Sequence, residues 1–187
     1  MLKREVRVAD AALLANLERN VNFFASTTML VIAALLTVLT SKYDFTIFEN
    51  SGLGSENSQL KLFTLLAIMV YAFFSFTWSL RQFGFGSVLM GAAPDVNQTS
   101  ISAKQRKEYA YSTAQVLDQA SHAFNYGLRA YYYALASITW FIHPIAFMFA
   151  TTWVVVVLYR REFHSKPVNV MVMDIDILKA KEENKVV

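Results

Sequence analysis

The side chains in this sequence that could carry chemistry are a few polar residues set beside long apolar runs: Arg81, Asn125, Arg129 and Glu162. A charge or amide next to hydrocarbon is costly unless it is paired or hydrated, so such groups mark ion pairs, helix-orienting contacts or the mouth of a polar path. Arg81 sits in Trp78-Ser79-Leu80-Arg81-Gln82 and Arg129 in Gly127-Leu128-Arg129-Ala130, each at the edge of an apolar segment. Either one can also snorkel to lipid phosphate, which requires only its long aliphatic stem. A second tier is Asn22, Ser26, Thr27 and Thr28. Their hydroxyls bond back to helix carbonyls or face a hydrated path with Asn22. His122, His143 and His164 lie 21 residues apart. Two such imidazoles could ligate a haem or a metal ion, but no inward Glu-x-x-His pair and no acidic cluster accompanies them, so no cofactor and no metal is assigned.

Other chemistries lack their residues. The chain has no cysteine, which excludes disulfides and thiolate sites. It has no glycine-rich phosphate loop, no nucleophile elbow and no paired carboxylates in an apolar segment, so it does not read as an enzyme. Its basic residues form no stripe interleaved with aromatics, so nucleic acid is not an expected partner. Asn97-Gln98-Thr99 fits a glycosylation acceptor but falls on the side expected to be cytoplasmic.

The elements that must position these residues follow from how the apolar residues are distributed. Of the 187 residues 55% are apolar and only 17% charged, and the apolar ones come in blocks. Val21 to Leu39 and Leu62 to Leu80 contain no charged residue and are long enough to cross a bilayer. Ala130 to Leu158 is also free of formal charge but is interrupted by His143-Pro144. The formal charge of +3 matters by location. Basic residues gather before the first apolar run, between the second and third, and after the last, whereas Lys42 and Lys61 share their segment with Asp44, Glu49 and Glu56. The segment between the first two spans is therefore expected outside and both termini inside.

A single third span would leave the basic tail outside, against that bias, whereas a hairpin puts it inside. The hairpin turns at His143-Pro144, where proline is tolerated in a first helical turn. Its fourth span, from Pro144 to Leu158, is about 22 Å long at ~1.5 Å per residue, short of the ~30 Å hydrocarbon core. Arg160 and Arg161 can snorkel, and the third helix can recruit residues back to about His122, so four spans are preferred to three. Folding the hairpin about residues 143 and 144 sets Arg129 level with Leu158 and Tyr159, within about one turn of Glu162. An Arg129–Glu162 pair is the sharper reading, with Asp118 and Glu108 as alternative partners.

Around these spans, Leu2, Val6, Ala9, Leu13 and Leu17 recur at helical spacing, and Ser102 to Tyr126 reads as a cytoplasmic helix capped at Ser100 or Ser102 and feeding the third span. Gly84, Gly86, Gly91 and Pro94 mark the turn before it. Ala130, Ala134 and Ser137, with Ala146 and Ala150, are small residues that let the hairpin helices approach closely. Tyr131, Tyr132, Tyr133 and Tyr159 are expected as inner-boundary anchors, Trp140 and Phe141 as outer ones. Val168, Val170, Val172, Ile175 and Ile177 alternate as in a strand, which either finds a partner in a strand of another subunit or a surface groove or stays disordered.

Four blocks in order carry a family likeness: Asn22-Phe23-Phe24-Ala25-Ser26-Thr27-Thr28, Phe76-Thr77-Trp78-Ser79-Leu80-Arg81-Gln82, Phe124-Asn125-Tyr126-Gly127-Leu128-Arg129-Ala130-Tyr131-Tyr132 and Tyr159-Arg160-Arg161-Glu162-Phe163. From about Arg4 to Ser165 the chain resembles the membrane family called domain of unknown function 599, found in bacteria and plants. The resemblance brings no activity and no catalytic residues. It implies that similar proteins have a further hydrophobic segment upstream of the region that begins here at Met1.

The expectation is therefore an all-α integral membrane protein, a four-span bundle of the bacterial inner membrane. Its spans are near 21–39, 62–80, 122–142 and 144–159, with cytoplasmic helices near 5–20 and 102–121, one membrane domain over 1–165 and a tail over 166–187. The leading functional expectation is a homo-oligomeric channel or transport protein for a small ion or solute, since no inverted repeat is visible and four spans with few buried polar groups are thin for a monomeric transporter. The competing one is a non-transporting accessory or scaffold subunit among other membrane subunits, and a membrane-embedded enzyme ranks third. Membrane lipids are the remaining expected partner.

Overall fold

The computed structural model describes residues 8–41, 58–94 and 101–163. Among these residues all regular structure is helical: α1 (Val8–Thr40), α2 (Ser58–Gly91), α3 (Ala103–Ile142) and α4 (Pro144–Phe163). By length and composition α1, α2 and α4 are apolar enough to cross a membrane. The second half of α3 is diluted by Arg129, Tyr131, Tyr132, Tyr133, Ser137 and Thr139 and does not reach that composition. At ~1.5 Å per residue, the 33, 34 and 40 residues of α1, α2 and α3 run about 50, 51 and 60 Å, well beyond a ~30 Å hydrocarbon core. The 20 residues of α4 run about 30 Å.

Consecutive helices are antiparallel. The most extensive contact is between α2 and α3; α1 lies against α2, and α4 against α3. The buried positions of α3 explain this order. Thr113, Ala120, Ala123, Gly127, Ala130, Ala134 and Ser137 recur at spacings of seven, three and four, a heptad seam made of small residues. In α2 the facing set is Leu65, Met69, Ala72, Phe76, Ser79, Phe83 and Gly86, mostly larger side chains at the same spacing. Large residues on one helix fill the notches that small residues leave on the other.

Two notches are tight. A Cβ at Gly127 would sit 2.5–2.7 Å from the ring of Phe76, and one at Gly86 would overlap the side chain of Leu117. Phe76 is fully buried there and packs within 5.5–5.7 Å of the rings of Phe24, Phe124 and Tyr131. Beside it the buried hydroxyl of Ser79 donates to the carbonyl of Ala120 at 2.7 Å, bonding α2 to α3. One aromatic cluster thus joins α1, α2 and α3, with half-buried Tyr131 packed against it. Its hydroxyl shares a 2.8 Å hydrogen bond with that of buried Thr28.

Several expectations need correction. α2 does not end near residue 80: it runs through Gly84 and Gly86 to Gly91, because packing against α3 outweighs a glycine cost of about 1 kcal/mol each. The segments expected as a cytoplasmic helix and a third span are one continuous helix, started by Ser102, whose side chain and that of Gln105 form a reciprocal capping box. In α1 the packed seam is Leu14, Val21, Ala25 and Thr28, whereas Leu13 and Leu17 are exposed. Leu2 and Val6 lie outside the described residues, as does the alternating tail over 166–187. Ala130 and Ala134 face α2 rather than α4, packing with Phe76 and Ala72 and with Leu65 and Met69 respectively.

These contacts separate two glycines of the same helix pair. Gly127→Ala drives a methyl into the Phe76 ring and lowers the thermal midpoint of the detergent-solubilised protein. Gly84→Ala, with nothing within 4 Å of the new atom, leaves it unchanged or raises it. Phe76→Ala empties the notch at a cost of about 3–5 kcal/mol. Equal midpoints for the two glycine variants would contradict the close approach of α2 and α3.

Candidate functional site

The break between α3 and α4 is built by His143 and Pro144. His143 is extended, with φ −159° and ψ 137°, and its amide still donates to the carbonyl of Thr139. Its Nδ1 accepts from the amide of Ile145 at 3.1 Å, so the imidazole caps the start of α4. Stacking of Trp140 on Phe147, with centroids 5.1 Å apart, closes the hairpin beside the turn.

Folded this way, the hairpin brings Arg129 and Glu162 together. Arg129 Nη2 donates to Glu162 Oε2 at 2.7 Å, with the two side chains 37% and 49% exposed. Helical side chains lean toward the N-terminus of their own helix. In an antiparallel pair Arg129 therefore leans toward the C-terminal end of α4 while Glu162 leans back toward the turn, and the two meet across an offset of about one turn. The same geometry lets Arg161 Nη1 donate to the hydroxyl of Tyr132 at 3.1 Å. The guanidinium of Arg129 also lies 5.6 Å from the Tyr126 ring.

These groups line a cavity of about 340 Å³, together with His122, Asn125, Leu128 and Leu158. It holds two guanidiniums, one carboxylate, one imidazole, one amide and one phenol at one end of the hairpin. Such a set can bind an anionic group or a hydrogen-bonding solute; among the described residues no group of three or more His, Asp or Glu side chains is arranged to hold a metal ion. The alternative partners of Arg129 are elsewhere: Asp118 lies 3.7 Å from His122 on the exposed face of α3, and Glu108 is exposed a further two to three turns away.

The remaining candidates do not converge on this cavity. Arg81 is exposed on α2, its guanidinium 5.9 Å and 5.5 Å from the rings of Trp78 and Phe85. Asn22 and Ser26 are exposed on α1. Thr27 and Thr28 donate to the carbonyls of Phe23 and Phe24 at 2.8 and 2.6 Å, the back-bonding expected of hydroxyls in apolar helices. His143 is at the opposite end of the hairpin, and His164 lies outside the described residues.

Two polar placements had no clear sequence signal. Lys61, near the start of α2, is 4% exposed and sits 5.8 Å from the rings of both Trp140 and Phe141. A carboxylate oxygen of Glu18 is buried on α1 without a hydrogen-bond partner. The Tyr132–Arg161 bond, by contrast, follows from the same hairpin register that pairs Arg129 with Glu162.

The ion pair is testable as a coupling. Arg129→Ala and Glu162→Gln, singly and together, should show a non-additive loss of thermal stability, with a coupling of about 0.5–1 kcal/mol for a partly exposed pair. Strictly additive losses would remove the pair from the account.

Neither a curated protein nor a solved structure matches the chain. The family described as "Protein of unknown function, DUF599" matches residues 1–167, a range that contains all four described helices and the cavity between α3 and α4. With most of its length matched, the chain belongs to the DUF599 family.

Proposed function

We propose that this protein is a four-span membrane bundle with both termini cytoplasmic, acting as a non-transporting accessory or scaffold subunit. The observation that carries the reading is the sealed interior of α1, α2 and α3. Phe24, Phe76, Phe124 and Tyr131 fill it, and its buried Thr28 and Ser79 hydroxyls are hydrogen-bonded within the protein. A path for ions needs polar groups left open to water along its length. The candidate path residues instead divide between the α3–α4 cavity, the outer face of α2 and the outer face of α1.

The four-span topology is supported by register. Lys61 at the start of α2 is level with Trp140 and Phe141 at the end of α3, and Trp140 is level with Phe147 at the start of α4. If α2 and α4 cross the bilayer, the second half of α3 crosses with them, its Arg129 paired and its small residues turned inward. The ends of α1 and α2 and the first half of α3 then project as a three-helix stalk into the cytoplasm, a rigid platform on which another subunit can assemble. The exposed apolar side chains Ile145, Met148, Phe149 and Trp153 of α4 face lipid or a second copy.

A path shared between subunits is the second reading, favoured by the polar cavity at the inner end of the hairpin. Transport tests decide between the two. Proteoliposomes containing the protein should show no K⁺, Na⁺ or Cl⁻ flux above empty vesicles; flux that falls with Arg129→Ala would establish the shared path instead. Topology is tested separately, on a chain whose natural lack of cysteine gives a clean background. His143→Cys should react with an impermeant maleimide in intact cells and Ser112→Cys only after permeabilisation. The reverse pattern, or both inside, would overturn the four-span arrangement.

A further inference from the structure

α4 packs on α3 and makes no extensive contact with α1 or α2, so a groove is left between α2 and α4 with α3 as its floor. Its volume is about 670 Å³, and it is lined by Ile68 and Tyr71 of α2, Tyr126 and Tyr133 of α3, and Phe147 of α4. From Tyr126 to Ser137 it follows eleven residues of α3, about 16 Å at ~1.5 Å per residue. That is the depth of one leaflet, about half of a ~30 Å hydrocarbon core. Among the residues lining it there is one cation, Arg129, and no acid.

Arg129 stands at the cytoplasmic end of this groove and also lines the polar cavity on the other side of α3. A guanidinium has five N–H donors. Glu162 takes one, the Tyr126 ring covers a face, and among the described residues the other donors meet no protein acceptor. A half-exposed cation with spare donors at the head of an apolar trough of one-leaflet depth matches an amphiphile with an anionic head and an extended chain. Deeper in the same trough the hydroxyl of Thr151 is buried without a partner.

We propose that the α2–α4 groove holds one acyl chain of an anionic phospholipid of the inner leaflet, with its phosphate on the free donors of Arg129. The site rests on the four-span reading, whose maleimide test is independent of lipid binding. The lipid also supplies what α4 lacks, a filler on the side where no helix covers it.

The test uses the full chain, delipidated in a non-ionic detergent and titrated with phosphatidylglycerol or phosphatidylcholine, with bound lipid counted by native mass spectrometry. One phosphatidylglycerol per chain is expected, held at least tenfold more tightly than phosphatidylcholine. Arg129→Gln should remove that preference. Glu162→Gln, which breaks the ion pair but keeps the cation, should retain it, so lost binding cannot be ascribed to a loosened hairpin. Ala67→Trp fills the groove from an exposed position, with Ala67→Leu as a milder filler, and both should lower uptake. Equal binding of the two lipids, or full displacement by millimolar inorganic phosphate, would overturn the proposal, the latter in favour of a free-anion site. So would a dimer that Ala67→Trp dissociates while lipid uptake stays unchanged, since a second copy would then be the occupant.

Discussion

The arrangement depends on the approach of α2 to α3 at Gly127, where the helix backbone itself forms the floor under the Phe76 ring. Without a hydrophobic driving force between helices in lipid, close contact has to come from shape, and shape here means a glycine notch filled by an aromatic ring. Phe76 then anchors Phe24 from α1 and Phe124 and Tyr131 from α3, so three helices share one cluster. The small-residue seam from Thr113 to Ser137 extends that fit along more than six turns of α3 without a break.

Because the inward side of α3 is committed to α2, α4 can dock only on what remains. It does so through a proline turn, a Trp140–Phe147 stack and the polar contacts at its far end. This explains why α4 has no buried residue of its own: on most of its sides no other described helix covers its apolar surface. It also explains the double exposure of Arg129, which sits where α3 passes between the sealed core and the loosely held hairpin arm. A partly exposed ion pair at such a place orients the arm with modest strength.

The polar candidates illustrate how far one-dimensional reasoning reaches. The level of a residue along a hairpin follows from counting, so the turn at His143-Pro144 is enough to bring Arg129 to Glu162. Which way a residue faces needs its neighbours, and counting alone grouped Arg81 with Asn125, Arg129 and Glu162, whose cavity it does not line. The Ala130-Ala134 stripe shows the same limit: it was legible as a packing face, but not as the face of α2 rather than α4.

Long runs of apolar residues, a charge bias between segments and a proline in a helix-breaking context determined by themselves that the described residues form helices, three of them able to cross a membrane by length and composition, and where the hairpin turns. Those properties depend on composition and on local backbone chemistry. Tertiary structure alone decided the rest: that glycines 84 and 86 lie inside a helix, that Tyr131 packs against the aromatic core, that Leu14 rather than Leu13 packs inward, and that Arg129 stands between a polar cavity and an apolar groove. Each of these depends on which notch a side chain finds on another helix, and a notch exists only once two backbones have met.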